Sequence, residues 1–135
     1  MKRRPNYKKQ LDTIFSQYIR LKNSKGGYCV CITCGKRFKI KAIQCGHYIS
    51  RNHLGTRWDE RNCQPQCVGC NIFGRGKSDT FALELIFKYG DNILTELNTL
   101  KNKIHQFKDY QLKEMIETYK QKIKEIKNGT IESNR

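Results

Sequence analysis

Cys31-Ile-Thr-Cys34 and Cys67-Val-Gly-Cys70 are two C-x-x-C pairs separated by 32 residues of chain. Tetrahedral Zn²⁺ is held by four thiolates, and each C-x-x-C pair supplies two of them from one tight turn. Gly35 and Gly69 suit the turns that such pairs require. The pattern therefore predicts a structural Zn²⁺ site that closes a loop long enough to contain a folded core. A redox-active C-x-x-C or incidental buried thiols are the alternatives.

Three further cysteines, Cys29, Cys45 and Cys63, lie outside these two pairs. Disulfides are rare in reducing compartments, so these cysteines are predicted to be small buried side chains. Cys29 or Cys63 could instead replace a neighbouring cysteine as a zinc ligand.

The segments on either side of the zinc loop carry apolar residues at helical spacing. Residues 7–25 are predicted to form an N-terminal amphipathic helix with a basic outer face. Residues 28–80 are predicted to form the zinc-bound core, with a strand from Phe38 to Cys45 and a short second strand within residues 47–66. Residues 81–128 are predicted to form C-terminal helices. The expected fold is one α+β domain covering residues 1–135.

The C-terminal part shows start and stop signals for three helices. Ser78 or Asp79 could cap the first of these helices, and Gly90 should end it. Asp91 or Asn92 could cap the second. The third should begin at Asp109 and end at Asn128-Gly129, with apolar positions that are predicted to pack against the core.

The net charge of +15 is concentrated in the first part of the chain. Residues 1–57 hold 14 Lys and Arg against one acidic residue, Asp12. Such a field attracts nucleic acids through phosphate contacts and counterion release, although a solvated lysine-rich surface is the alternative. The chain shows neither a signal peptide nor an apolar run of the ~20 residues needed to cross a bilayer, so we expect no membrane contact and a cytoplasmic location.

Three polar residues inside the zinc loop form an ordered set: His47, then Asn62, then Asn71 directly after the second C-x-x-C pair. This order resembles the zinc-bearing His-Asn-His (ββα-metal) endonucleases, including the phage endonuclease VII type. Residues 29–90 resemble the phage NinG (Rap) recombination proteins more closely. Five segments carry that likeness: Cys31-Ile-Thr-Cys-Gly35, Gly46-His-Tyr48, Arg57-Trp-Asp-Glu-Arg-Asn62, Gln66-Cys-Val-Gly-Cys-Asn71 and the stretch from Leu85 to Gly90.

The resemblance implies a zinc-stapled ββα-metal core that hydrolyses phosphodiester bonds of DNA, with branched recombination intermediates as the substrate. It implies that His47 is the general base, because a neutral imidazole can activate water near pH 7. It also implies that Asn71 provides an oxygen ligand for a catalytic Mg²⁺ or Mn²⁺, and that Asn62 fixes the loop and orients the base. The host cytoplasm would be the site of action of such a phage protein.

One departure from the wider family concerns the residue before the catalytic His. Many relatives carry an acidic metal ligand there, whereas this chain has Gly46, as the NinG proteins do. The second cation ligand is therefore unassigned, and His53, Asp59 and Glu60 are the nearby candidates. His47 could also contact the cation itself.

Several cations near this set are candidate phosphate contacts, with solvated surface charge as the alternative for each: Arg51, Arg57, Arg75 and Lys77. Trp58 is predicted to lie in the core, although stacking on an unpaired base is an alternative. DNA is the expected partner, and a homodimer is an open alternative. The rival function is a non-catalytic zinc module that binds nucleic acid within a recombination complex.

Overall fold

A computed structural model describes residues 3–103 and 106–129 of the chain. Of the predicted domain at residues 1–135, residues 1–2, 104–105 and 130–135 lie outside the described residues. Helix α1 spans Tyr7–Lys22 and begins at Asn6, whose side chain accepts a hydrogen bond from the backbone N–H of Lys9 at 3.0 Å. Its predicted extension to residue 25 is wrong. Ser24–Lys25 form strand β1 instead, because Gly26 and Gly27 adopt positive φ and turn the chain back on itself.

The first sheet has three short antiparallel strands in the order β1, β2, β3. Strand β2 spans Tyr28–Val30 and β3 spans Arg37–Lys39. The predicted strand from Phe38 to Cys45 is wrong as one element, since a 3₁₀ turn at Ile40–Ala42 interrupts it. The turn lets the chain leave one sheet and enter the next, where its new partner lies in a different direction.

The second sheet is an antiparallel pair of strands, β4 (Ile43–His47) and β5 (Cys63–Cys67). The predicted short strand within residues 47–66 corresponds to β5, which ends one residue later. Cys45 and His47 share one face of the sheet with Cys63, because His47 is directly opposite Cys63 and Cys45 is opposite Pro65. The connection between the strands contains helix α2 (Leu54–Arg57) and a 3₁₀ turn at Glu60–Asn62.

Strand β5 is followed by a π-helical turn at Gly69–Phe73, then by three helices: α3 (Ser78–Tyr89), α4 (Ile93–Lys101) and α5 (Asp109–Lys127). Helix α3 begins three residues before the predicted 81, and its N-cap is Lys77 in the left-handed conformation, so neither Ser78 nor Asp79 is the cap. Asn92 occupies the N-cap position of α4, although its side chain makes no capping hydrogen bond. Gly90 ends α3 with φ +98°, and Asn128 ends α5, as predicted.

Helices α1 and α5 pack together through the apolar positions that the sequence assigned to the core. Phe15 of α1 meets Tyr119 of α5 edge to face, with ring centroids 5.0 Å apart. A second cluster surrounds the cysteine pairs, and a third joins α3 and α4 through Phe81, Leu85 and Leu97. The protein is therefore α+β, as predicted. Among the helices of the described residues, none is long and apolar enough to cross a membrane.

Candidate functional site

The two C-x-x-C pairs meet where β2, β5 and the π-helical turn converge. The Sγ atoms of Cys31, Cys34, Cys67 and Cys70 all lie within 4.8 Å of one another, and those of Cys34 and Cys67 are 3.8 Å apart. Four Zn–S bonds of ~2.3 Å in a tetrahedron place the sulfur atoms about 3.8 Å apart. These cysteines could therefore hold a structural metal such as zinc, and the predicted ligand set is brought together.

Hydrogen bonds prepare Cys31 for metal binding. Burial alone would raise the pKa of its thiol, but the backbone N–H of Cys67 donates to Sγ at 3.3 Å and, with the Thr33 hydroxyl, lowers the pKa to about 6. The pKa of Cys67 is raised to about 12, mainly by burial, although the backbone N–H of Cys70 opposes this. One thiolate is thus favoured before a cation arrives, and the cation must displace the proton of Cys67.

His47 ends strand β4 and is half-buried, with Nε2 at 3.0 Å from the backbone carbonyl oxygen of Arg57. A carbonyl oxygen only accepts, so Nε2 carries the hydrogen and Nδ1 of the neutral ring is left unprotonated. Burial lowers the pKa of His47, and this effect outweighs the opposing effect of the Arg57 carbonyl. The neutral imidazole, the form that can accept a proton, is therefore the favoured form near pH 7.

Asn62 is fully buried below the loop that follows His47. Its Oδ1 accepts from the backbone N–H of Ile49 at 2.8 Å, and its Nδ2 donates to the carbonyl oxygens of Ile49 and Thr56 at 3.0 and 3.1 Å. Its own backbone oxygen accepts from Tyr48 at 2.9 Å. Asn62 thus pins the chain directly after His47, and it does not line the cleft described next.

A cleft of about 610 Å³ lies between α1, β4 and the π-helical turn. It is lined by both His47 and Asn71, together with Gln44, Arg20 and Arg51. The amide nitrogen of Asn71 donates to Gln44 Oε1 at 2.8 Å, so its amide oxygen remains the atom that could bind a cation. The structure therefore brings two of the three sequence-predicted residues to one concave surface, and the third supports that surface from below.

The four predicted phosphate contacts have different surroundings. Arg51 is exposed at the cleft and forms an ion pair of 3.6 Å with Asp12. Arg75 and Lys77 are exposed on the turn before α3 and do not line the cleft. Arg57 is largely buried and donates from Nε to Asp12 at 3.0 Å. Its side chain is thus committed to an ion pair. Trp58 lies in the core, as predicted, and is only 6% exposed.

Gly46 leaves no room for a larger side chain at this position of β4. A Cβ atom there would lie 2.8 Å from Cβ of Gln66, which is fully buried. Gln66 donates to the carbonyl oxygen of Gly76 at 2.8 Å and to the Thr33 hydroxyl at 3.1 Å. Among the described residues, Gln66 Oε1 is a buried side-chain oxygen without a hydrogen-bond partner.

The three candidate second ligands lie away from the cleft. His53 lines a different depression, beside α4. Asp59 caps the 3₁₀ turn through Arg61 N and also binds the Arg61 side chain, and Glu60 binds Lys22 of α1. None of the three lines the surface that holds His47 and Asn71.

Asp12, Gln44 and Arg20 also line the cleft, and the sequence interpretation did not select them. Asp12 accepts from Trp58 Nε1 at 3.0 Å as well as from Arg57, so it anchors the segment whose carbonyl orients His47. A signal for Asp12 was available, because it is the one acidic residue among residues 1–57. No sequence pattern marks Gln44 or Arg20 as a cleft residue, because the sequence does not show that α1 packs beside β4.

The fold and this site define a class: a small α+β protein with short antiparallel sheets and a four-cysteine cluster that could hold a metal. The model of the family described as Bacteriophage Lambda NinG protein matches residues 1–130, so the chain belongs to the NinG family. Over 104 residues, 76% of this chain, it is 30% identical to the protein ninG of Escherichia phage 933W and to that of Escherichia phage lambda.

The corresponding identity to the protein ninG of Salmonella phage P22 is 29% over 104 residues. These matches cover 51%, 50% and 50% of the three relatives. The chain thus spans about half the length of the curated relatives that it matches. No solved structure gives a significant match.

Proposed function

We propose that this chain is a metal-dependent DNA endonuclease of the His-Asn-His type, which cuts branched recombination intermediates in a phage context. One observation carries the proposal: His47 and Asn71 line the same cleft, and the Arg57 carbonyl holds His47 in the tautomer of a general base. The order of elements supports the proposal, since the paired strands β4 and β5 are followed by the π-helical turn that carries Asn71. The choice of branched DNA as the substrate rests only on the likeness to recombination proteins.

The proposed reaction is hydrolysis of a phosphodiester: the oxygen of water bonds to phosphorus while the bond from phosphorus to the 3′ oxygen breaks, and the leaving 3′ oxygen takes a proton from solvent. His47 Nδ1 accepts the proton of the attacking water. Asn71 would provide an oxygen ligand for Mg²⁺ or Mn²⁺, and such a cation supplies charge that offsets the negative charge on the phosphate oxygens. Arg20, which donates to the Ile40 carbonyl oxygen, and Arg51, which forms an ion pair with Asp12, supply positive charge at the same cleft. Zn²⁺ at the four cysteines has a separate, structural role, since thiolates suit zinc and hard oxygens suit Mg²⁺.

A cleavage assay tests this proposal. The chain is incubated with a four-way DNA junction and with linear duplex, each with and without Mg²⁺ or Mn²⁺. We expect cation-dependent cleavage of the junction, and about 10²–10⁴-fold slower cleavage by His47→Ala with zinc content and DNA affinity retained. Asn71→Ala should also lose cleavage but regain part of it at high cation concentration. Parent-like cleavage by His47→Ala would exclude His47 as the base.

A non-catalytic nucleic-acid-binding module is the second candidate, and the cleft itself gives a reason to consider it. Asp12 is the one acidic residue among the described residues that line the cleft, and its carboxylate is held by Arg57 and Trp58. Gly46 packs against Gln66 and leaves no space for the carboxylate that many His-Asn-His nucleases carry before the catalytic His. DNA binding without cleavage, with every divalent cation and every branched substrate offered, would favour this second function.

A further inference from the structure

A second group of metal-ligating side chains lies in the described part of the chain, apart from the four paired cysteines. The Sγ atoms of Cys45 and Cys63 and a ring nitrogen of His47 all lie within 4.8 Å of one another. Strand pairing explains the grouping. Cys45 and His47 are two residues apart on one face of β4, and Cys63 faces His47 from β5. The rigid two-stranded sheet therefore supplies all three groups.

The chemistry of this trio differs from that of the proposed magnesium site. Two thiols and one imidazole are soft or borderline ligands, which select Zn²⁺ or Co²⁺ over Mg²⁺. With bonds of ~2.3 Å to sulfur and ~2.0 Å to nitrogen, tetrahedral zinc needs ligand atoms about 3.5–3.8 Å apart. The three atoms lie within 4.8 Å of one another, so their separations exceed those required by at most about 1.3 Å.

The trio also leaves one coordination position open. Cys45 and His47 line the cleft, whereas Cys63 is completely buried behind them. Three protein ligands with an accessible fourth position are typical of zinc sites that bind water or a small ligand, whereas structural sites are closed by four. A metal bound here would therefore lie at the side of the cleft formed by Cys45 and His47, with its fourth position directed into the cleft.

We propose that Cys45, His47 and Cys63 form a second metal site, specific for thiophilic divalent cations, with its fourth position open to the cleft. Binding of Zn²⁺ converts the two thiols to thiolates and releases their two protons to solvent, with no change of oxidation state. Because the metal occupies the imidazole of His47, the same event removes the general base. This site goes beyond the proposed nuclease function, and metal binding at it does not depend on cleavage.

Metal titration of the full chain tests the site. Protein that retains one tightly held Zn²⁺ is titrated with Co²⁺ under a phosphine reductant, which keeps the thiols reduced, and thiolate-to-cobalt absorption is followed. We expect one further equivalent of Co²⁺ to bind. Cys45→Ser and His47→Ala should each weaken this second equivalent by more than about 10-fold and leave the first Zn²⁺ in place.

Cys29→Ser is the control, because Cys29 is a cysteine outside both groups, more deeply buried than Cys45, and its Sγ donates to the Arg20 carbonyl. This variant should bind both equivalents.

Cys63 is so deeply buried that its substitution could unfold the protein, so the test relies on the variants at Cys45 and His47. A parent chain that binds no second equivalent overturns the proposal, and so does parent-like binding by Cys45→Ser and His47→Ala. If the chain binds two metals but cuts no DNA, the second metal site stands and the proposed nuclease function fails.

Discussion

The side-chain amide of Asn62 makes three hydrogen bonds in a position that water does not reach. Asn62→Ala leaves the backbone N–H of Ile49 and the two carbonyl oxygens without these partners. We expect a loss of about 1–3 kcal/mol in the free energy of unfolding, the cost of leaving buried polar groups unsatisfied. Urea denaturation measures it. Asn52→Ala, in the same loop but exposed, is the control and should change stability little. Equal effects of the two substitutions would contradict a positioning role for Asn62.

Gly46 is constrained by space and not by backbone conformation, because its φ is not positive. Gly46→Ala would place Cβ against the Gln66 side chain, so strand β4 or Gln66 must move. We expect a loss of about 1–3 kcal/mol in stability, as for other overpacked cores. Gly69→Ala is the control, since its added Cβ would meet Cys67 Sγ at an ordinary 3.8 Å. If the melting temperature of Gly46→Ala equalled that of the parent, the Gln66 side chain would be able to move aside without loss of stability, and this prediction would be wrong.

At the scale of elements, Glu60 joins the two long helices to the strand connection. Its carboxylate accepts from Lys22 Nζ of α1 at 2.9 Å, from Lys122 Nζ of α5 at 3.4 Å and from the Tyr18 hydroxyl at 3.1 Å. Burial alone would raise the pKa of Glu60, but Lys22 and the other partners outweigh burial and lower it. The ionised form is therefore the one that holds α1 and α5 in place.

This lowered pKa predicts acid sensitivity with a definite sign. The contribution of Glu60 is present above the unfolded-state value of 4.5 and is lost as pH falls through the lower folded-state pKa. Glu60→Gln should thus cost about 1 kcal/mol at pH 7 and show a weaker decline of stability below pH 4.5 than the parent. Chemical denaturation across this pH range measures both. Glu117→Gln, at an exposed ion pair with Lys120, should retain the parent's pH profile.

The elements that sequence reasoning predicted best are those whose signals are local. The spacing of apolar residues in α1 and α5, and the glycine that ends α3, act within one or two turns of helix. The break between β3 and β4 is not local, because it depends on which sheet each strand joins, and Phe38 to Cys45 alone fits a single strand. The Lys77 cap of α3 was missed because a left-handed lysine has no sequence signal.

The same distinction applies to the site at the scale of the whole molecule. The four cysteines were predictable because their spacing encodes the turn geometry that zinc requires. The contact of Asp12 with Arg57 joins residues 45 apart in sequence across α1 and the strand connection. Only the packing of α1 on the second sheet produces it. The Cys45, His47 and Cys63 group likewise depends on strand register, which the sequence does not state.

Loss of a metal from the four cysteines should affect the whole fold, since they join the loop after β2 to the end of β5, and Cys31, Cys67 and Cys70 belong to one of the core clusters. Structural zinc contributes directly to folding free energy. We expect Cys70→Ser to lose the tightly held Zn²⁺ and to melt at a much lower temperature, as measured by elemental analysis and calorimetry. Cys45→Ser is the control and should retain that zinc. Protein prepared without chelator that contains no zinc would contradict this prediction.

The charge of the molecule is polarised, and this predicts how DNA affinity depends on salt. Residues 1–57 carry the excess of positive charge and supply Arg20 and Arg51 to the cleft. Each phosphate contact releases counterions, so log affinity should fall linearly with log salt concentration. Arg51→Glu, exposed at the cleft, should weaken binding to duplex and branched DNA alike and make the slope shallower by about 1–2. Lys120→Glu on α5 makes the same charge change away from the cleft and should alter affinity far less. Fluorescence anisotropy from low to high salt measures both variants. Equal losses would show that net charge alone, and not this surface, attracts DNA.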